Sequence, residues 1–311
     1  TTGSKVTAAT AVVTFNDATN TEITAKQLSD IGGAVASASV TNKINVDGSN
    51  TELTAAFVTT TSNVTASKAV VTFNDAKNTA IAATVLSDVG AAVASASIAT
   101  AVKVSGNHDQ LEAAFVTATS KVTAASAKVT FSDATNATMT AKEISDIVGV
   151  VGEGTITSRV DITGNKSDMT AALVTAGTSA TIGTTGTTAT VSDLATLSEA
   201  NAIAKINNVT ASFTLGIEDS STALTSNATT IHGDMAAVTT DQSDIKITVS
   251  DANDAAVDAT RLSAIGGTTS GLVTVSNAVK VTAGHDDLLA AFVTTGSKVT
   301  AATAVVTFND A

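Results

Sequence analysis

Aspartate recurs along the chain in an Asn-Asp-Ala or Ser-Asp-Ala triplet that follows an apolar, β-branched run. Carboxylates repeated in this way could bind calcium, which prefers oxygen ligands, with Asn16 or Asn20 supplying further oxygens. The alternative is an Asx turn, in which aspartate bonds nearby backbone as the chain leaves a strand. The turn is favoured, because the intervening turns offer only Asp47, Ser105 and Thr163 and no calcium-loop motif occurs. The candidate calcium ligands are Asp17, Asp75, Asp133, Asp251 and Asp310.

The histidines could in principle serve as metal ligands or catalytic bases. His108 and His285 occupy equivalent positions, but Asn50 and Lys166 stand in the same surroundings elsewhere in the chain. A position that accepts Asn, His and Lys is more typical of an exposed helix start than of a site.

Motifs that carry enzyme chemistry are missing from the sequence. It contains no nucleophile elbow, no phosphate-binding loop, no zinc-protease helix and no dinucleotide-binding glycine pattern. We therefore expect a protein that is not an enzyme and that binds no cofactor. Calcium is the one ion whose binding the sequence allows.

Composition narrows the class of protein further. The chain has no Cys, Pro, Trp or Tyr, so disulfides and thiolate metal sites are excluded. Its formal charge of −12 argues against nucleic acid as a partner, because no basic stripe is present to neutralise phosphates. The sequence also lacks the long apolar run of a membrane span.

The chain is built from internal repeats. Its first eighteen residues, TTGSKVTAATAVVTFNDA, return unchanged as residues 294–311. Between them the pattern recurs about every 58 residues, which predicts a 293-residue super-repeat and a segment of a much longer protein. The predicted divisions are repeat one (1–58), repeat two (59–116), repeat three (117–174), a degenerate and longer repeat four (175–238), repeat five (239–293) and the start of the next super-repeat (294–311).

Each repeat reads as strand–helix–strand–helix. AVVTFNDA predicts a strand and turn, and TAKQLSDIGGAV follows with apolar residues at helical spacing. Thr24 with Gln27 and Ser49 with Glu52 form capping-box patterns at two helix starts. We therefore predict a repeat solenoid of α/β coils of about 29 residues, two per 58-residue repeat, with an all-β solenoid as the alternative. Ten coils at strand spacing give an axial period of about 48 Å.

Phenylalanine marks the expected core. Seven of the eight Phe residues fall into two columns of the repeat, in which equivalent positions would stack along a solenoid axis. The columns are Phe15, Phe73, Phe131 and Phe308, and Phe57, Phe115 and Phe292.

Repeat four departs from the pattern. It has extra residues and a stretch rich in Gly and Thr at 183–188. This stretch could be a protruding loop for lateral contact or a tolerated insertion at a solenoid corner.

The succession VTFSDA…ITA..LSDIG….VTV…VTG…L.AALVTA, in a Thr/Ala/Ser/Val-rich chain without Cys, resembles giant tandem-repeat surface proteins of bacteria, especially cyanobacteria. The resemblance implies an extracellular or cell-surface location and a structural, adhesive or coat role. We expect a segment of a giant extracellular fibre or surface filament, whose partners are copies of itself, end to end or laterally. The alternative is an adhesin stalk or binding module that recognises surface glycans or a partner surface.

Overall fold

The computed structural model describes residues 8–119, 122–175, 177, 179–297 and 299–309. These residues form two compact units. The first comprises Thr1–Thr135, Glu143–Ser158 and Ala176–Gly183, and the second comprises Asn136–Lys142, Arg159–Thr175 and Thr184–Ala311.

Strands and helices alternate along the chain, so the protein is an α/β protein as predicted, and the all-β alternative is wrong. The helices of the described residues are α1 (Ala25–Gly32), α2 (Asn50–Phe57), α3 (Ala83–Ala92), α4 (His108–Phe115), α5 (Ala141–Val151), α6 (Lys166–Leu173), α7 (Leu197–Ala204), α8 (Ser221–Leu224), α9 (Met235–Asp241), α10 (Ala259–Gly266) and α11 (His285–Phe292).

Most helices follow a pair of strands, and we call each pair with its helix a module. The strands are β1 (Ala8–Phe15), β2 (Glu22–Thr24), β3 (Val35–Val40), β4 (Asn45–Gly48), β5 (Val64–Phe73), β6 (Ala80–Ala82), β7 (Val93–Ile98), β8 (Lys103–Gly106), β9 (Val122–Thr123), β10 (Lys128–Phe131), β11 (Ala137–Thr140), β12 (Glu153–Ile156), β13 (Val160–Gly164), β14 (Ala180–Ile182), β15 (Thr187–Val191), β16 (Val209–Phe213), β17 (Ile217–Asp219), β18 (Ile247–Val249), β19 (Val273–Val275), β20 (Lys280–Ala283), β21 (Val299–Thr300) and β22 (Val305–Phe308). The short strands β2 and β6, which directly precede α1 and α3, were not predicted from the sequence.

In the first compact unit, the strands pair in parallel with those of the next module. One sheet has the order β14-β12-β10-β8-β6, and the other joins β1, β3, β5, β4 and β2 with β7 and β9. The ten-residue strand β5 lies in two ladders, because its start pairs with β3 while its end pairs with β4 and β7. Paired residues of neighbouring strands, such as Val71 and Ala96, are 25 residues apart in the chain.

In the second compact unit the ladders are also parallel. Their orders are β11-β13-β15-β16, β17-β18-β19-β21 and β20-β22. The outer edge of β16 is covered by side chains instead of a strand. Asp241 Oδ2 accepts the N–H of Ala211 at 2.8 Å, and Gln242 Oε1 accepts the N–H of Phe213 at 2.7 Å. These two acceptors satisfy backbone groups that an open sheet edge would expose.

The core consists of apolar columns that follow the strand registers. Val46, Val71, Ala96 and Val122 stand side by side in the first compact unit, each no more than 4% exposed. The second compact unit has a matching column of Met139, Ile162, Ala189 and Ala211. Because alternate residues of a strand point to opposite faces, one face of each ladder is buried under the helices.

Helices α1 and α2 begin where the sequence predicted. Thr24 and Ser49 each form a complete capping box, with Gln27 and Glu52 respectively. Between the two strands of several modules the chain turns through a left-handed residue, with φ of 65° at Asn20 and 66° at Asn78. Asparagine tolerates this conformation better than most residues.

The predicted phenylalanine columns lie at strand and helix ends. Phe73 and Phe131 are fully buried, Phe115 is buried, and Phe15 is half-buried. Their neighbours in register are small or branched residues rather than other phenylalanines; Phe73, for example, lies between Gly48 and Ile98. Of the remaining members, Phe57 and Phe292 are half-buried and Phe308 is exposed, and the eighth phenylalanine, Phe213, is buried outside both columns.

Candidate functional site

The recurrent aspartates bind the start of a helix in the preceding module. Asp75 lies in the turn after β5, and its Oδ2 atom accepts the backbone N–H of Asn50, the first residue of α2, at 2.9 Å. The Asn50 side chain donates from Nδ2 to Oδ1 of the same carboxylate at 2.7 Å. Asp75 is only 6% exposed, so both carboxylate oxygens are bonded in a largely buried setting.

Asp133 makes the same contact one repeat further along. Its carboxylate accepts the backbone N–H of His108, the first residue of α4, at 3.2 Å, and lies 2.6 Å from His108 Nδ1. The exposed fractions of the His108 and Asp133 side chains are 19% and 3%. Burial of the ring lowers the pKa of His108, but the hydrogen bond and negative charge of Asp133 outweigh it. The pKa is therefore raised above its ordinary value.

The second compact unit repeats the contact with variations. Asp251 accepts both the N–H and the Oγ hydroxyl of Ser221, at 2.8 and 3.0 Å. Asp193 accepts the N–H of Lys166 at 2.7 Å. We call these inter-module contacts the carboxylate clamps: Asp75–Asn50, Asp133–His108, Asp193–Lys166 and Asp251–Ser221.

Each clamp accepts the first backbone N–H of a helix N-terminus. The first N–H groups of a helix have no partner within the helix, and its positive dipole end attracts negative charge. The N-cap side chain takes one of these groups: Ser49 Oγ accepts from Glu52 N at 3.4 Å. The aspartate of the next module takes the first one. Each clamp thereby joins the helix of one module to the strand exit of the next.

The five predicted calcium ligands therefore have different settings. Asp75, Asp133 and Asp251 use their carboxylates on the preceding helix, not on their own turn, so the Asx-turn interpretation is wrong for them. Asp17 stands at the equivalent position after β1, where the described residues provide no preceding helix. Asp310 lies outside the described residues.

The described part of the chain brings no three His, Asp or Glu side chains together as ligands of one metal ion. The carboxylate oxygens of Asp75 already accept two donors from Asn50. A cation at this position would have to displace those donors, and the calcium hypothesis remains a prediction for experiment.

Sequence reasoning missed the partner of these aspartates. The residues that vary at the helix start, Asn50, His108 and Ser221, share a side-chain donor that bonds the clamp carboxylate. His108 is consequently not the exposed helix start that its tolerance of other residues suggested. The available signal was the separation of 25 residues between the varying donor and an aspartate in repeats one and two.

The loop predicted at 183–188 in repeat four is shorter in the structure. Thr187 is fully buried and begins β15, so only residues 183–186 connect two strands. The irregular segment lies later, between α8 and α9, where Thr225 and Ile231 form an antiparallel bridge. Beside it is an open groove of about 340 Å³ lined by residues that include Asp219, His232 and Asp234.

No helix in the described ranges has the length and apolar character needed to cross a bilayer. Neither a comparison with models of known protein families nor a comparison with curated proteins finds a match for this chain.

Proposed function

We propose that this chain is a structural segment of a long extracellular filament or surface coat, folded as a continuous α/β solenoid. The observation that carries the proposal is the set of carboxylate clamps. Each of them bonds the helix of one module to the strand exit of the next, so the clamps tie neighbouring modules together in both compact units.

The apolar columns support the same role. A module whose strands have partners on both sides, such as the one containing Val71, buries its apolar side chains against its neighbours. Stability in such an array grows with the number of modules, which suits a long mechanical element. The extracellular location rests on the resemblance to giant bacterial surface proteins.

The role is tested by electron microscopy of native source material. A filament with an axial period near 48 Å, from ten modules at strand spacing, is the expected result. Compact particles without filaments would contradict the proposal.

The groove beside the irregular segment favours one second candidate, an adhesin or binding module that recognises glycans or a partner surface. His232 and Asp234 lie within 3.5 Å of each other at this groove and could bond sugar hydroxyls. Replacing both by alanine should abolish attachment of the purified chain to source cells while leaving its fold unchanged. The matched control is Asp30→Ala, which removes an exposed carboxylate of α1. Unchanged attachment of the double variant would exclude this groove.

A further inference from the structure

The triplet Asn-x-Ser/Thr, the sequence motif that accepts N-linked glycans, occurs five times in the chain. Its asparagines are Asn63, Asn136, Asn165, Asn208 and Asn227. A chain so rich in Thr and Ser is expected to contain such triplets by chance, so the sequence does not distinguish among them. The structure does, because it shows which triplets a transferase can reach on the folded chain.

Four of the triplets are built into strands or helices. The hydroxyl residue lies in a strand in three of them: Thr65 in β5, Thr138 in β11 and Thr210 in β16. In the fourth triplet Ser167 lies in α6. A transferase could bind these triplets in an extended form only by separating a strand from its ladder or by unwinding a helix.

Two of these asparagines also use Nδ2, the atom to which a glycan is attached. Asn63 Nδ2 donates to the Val35 carbonyl oxygen at 2.9 Å. Asn165 Nδ2 donates to Asp168 Oδ2 at 2.8 Å. A glycan at either position would disrupt a hydrogen bond of the fold.

The fifth triplet, Asn227-Ala228-Thr229, lies in the irregular segment between α8 and α9. Thr225 and Ile231 pair at the base of this segment through an antiparallel bridge, and we call residues 226–230 between them the sequon loop. Asn227 and Thr229 are both exposed. The loop therefore presents the whole triplet without the opening of any strand or helix.

Hydrogen bonds orient the carboxamide of Asn227. Its Oδ1 atom accepts the backbone N–H of Thr229 at 2.9 Å and the Thr229 hydroxyl at 3.2 Å. Because a backbone N–H can only donate, the atom that faces Thr229 is the carboxamide oxygen. In the part of the chain that the structure describes, Asn227 Nδ2 donates to no other residue. The nitrogen of this exposed side chain is thus the atom left for reaction.

Arg261 of α10 anchors the sequon loop to the fold. Its Nη1 atom donates to Thr225 Oγ1 and to the Asn227 carbonyl oxygen, the latter at 3.4 Å. Its Nε atom donates to Asp258 Oδ2 at 3.2 Å. Since Thr225 is only 3% exposed, the base of the loop is buried while its tip is exposed.

Space for an attached sugar lies beside the loop. An open groove of about 250 Å³ is lined by residues that include Thr229 of the loop, Ser263 of α10 and Asp287 of α11. Their hydroxyl and carboxylate groups can bond sugar hydroxyls, so a sugar on Asn227 has polar partners nearby.

We propose that Asn227 is the N-glycosylation site of the folded chain. In the transfer, Nδ2 forms a bond to the anomeric carbon of a sugar that is activated as a lipid-linked diphosphate. The bond between that carbon and the diphosphate oxygen breaks, and the diphosphate leaves with the electron pair. A base of the transferase takes the proton that Nδ2 loses. The inference rests on the extracellular location in the proposed function, because N-linked glycans are attached to exported proteins.

Mass spectrometry of native source material tests the site with a control in the same peptide. Trypsin releases residues 206–246, which contain both Asn208 and Asn227. Electron-transfer fragmentation keeps the sugar on its residue, so the two asparagines are distinguished. We expect a glycan on Asn227 and none on Asn208. A bare Asn227, or equal occupancy of the two asparagines, would overturn the proposal.

Transfer to the purified chain shows whether the fold makes this selection. The folded chain and the free peptide 206–246 are each incubated with a lipid-linked diphosphate oligosaccharide and a single-subunit oligosaccharyltransferase that modifies both asparagines of the peptide. In the folded chain, modification of Asn227 should exceed that of Asn208 several-fold. Thr229→Ser should keep the transfer to Asn227, whereas Thr229→Ala should abolish it. Equal modification of the two asparagines in the folded chain would contradict selection by the fold.

The outcomes separate this site from the filament role. Native filaments in which Asn227 is bare would leave the proposed function standing and overturn the site. A glycan on Asn227 in source material without filaments would do the reverse.

Discussion

The Nδ1 atom of His108 lies 2.6 Å from the Asp133 carboxylate, and the two residues belong to successive modules. The contact joins the first residue of α4 to the turn that follows β10. It is the one clamp among the described residues in which histidine supplies the side-chain donor. The attachment of one module to the next is therefore sensitive to protonation at this point.

The His108 clamp predicts a pH-dependent stability. Asp133 raises the pKa of His108 despite the burial of the ring, and the carboxylates of Asp109 and Glu143 act in the same direction. A raised pKa means that the folded state binds the proton more tightly than the unfolded state. The added stability is fully present below the ordinary pKa of 6.5 and is lost as the pH rises through the raised value. Hydrogen exchange of α4 amides, corrected for intrinsic rates, should show protection falling across this interval.

Asparagine provides the control for this pH dependence, because Asn50 fills the equivalent position in repeat one and bonds Asp75. The variant His108→Asn should keep the clamp and flatten the pH profile of α4 protection. A profile that stays steep in this variant would show that another group titrates.

Removing a clamp carboxylate should destabilise the junction between two modules. Asp75→Ala leaves the N–H and Nδ2 donors of Asn50 without their acceptor in a part-buried setting. Loss of such a partner costs about 1–3 kcal/mol. Urea unfolding measures the loss. Asp30→Ala, which breaks an exposed i,i+4 pair with Lys26, is the control and should change the midpoint little. Equal effects of the two variants would contradict a structural role for the clamp.

Gly32 and Gly33 are adjacent but should respond differently to alanine. A Cβ atom at Gly32 would meet the Ser62 carbonyl oxygen at 1.8 Å, whereas one at Gly33 would lie 3.3 Å from the Ser29 carbonyl oxygen. Gly32→Ala forces the next module away from α1, and overpacking of this kind costs about 1–3 kcal/mol. Thermal unfolding of the two variants checks the difference. A Gly32→Ala protein as stable as Gly33→Ala would show that α1 and the next module are further apart.

Calcium should leave the stability of the chain unchanged. The carboxylate of Asp75 already accepts two hydrogen bonds, and a bound ion would leave those donors without partners. Unfolding in millimolar calcium and in EDTA should give the same midpoint. A midpoint raised by calcium in the natural chain, but not in Asp75→Ala, would establish the calcium ladder instead.

Local signals in the sequence predicted most of the secondary structure. The capping boxes at Thr24 and Ser49 are short-range patterns, and both helices begin where these patterns place them. The helical spacing of Leu28, Ile31 and Val35 in TAKQLSDIGGAV was confirmed only in part. Leu28 is fully buried, but Ile31 is 38% exposed and Val35 begins strand β3, because α1 ends at Gly32.

The strand pairing and the clamps could not be predicted, because they depend on which modules are neighbours in the fold. The two ladders that share β5 arise because its ten residues face different neighbours at their two ends, which no pattern within the strand encodes. The Asp133 clamp was missed for a similar reason. The partner of Asp133, His108, lies 25 residues earlier in the chain. The equivalent partner of Asp75 is Asn50, so the side-chain hydrogen-bond donor is kept although the residue type changes.

The short sequence separation between paired strand residues also affects how such a chain folds. Pairing residues are separated by 23 positions for Glu22 and Asn45 and by 30 for Ile217 and Ile247. Parallel sheets usually fold slowly. Residues far apart in sequence must come together, at a cost in chain entropy, before their contacts contribute favourable free energy. Here that distance stays the same however many modules are added, so relative contact order falls as the chain lengthens. Each newly synthesised stretch of about 30 residues can complete its pairing while the ribosome is still making the next one.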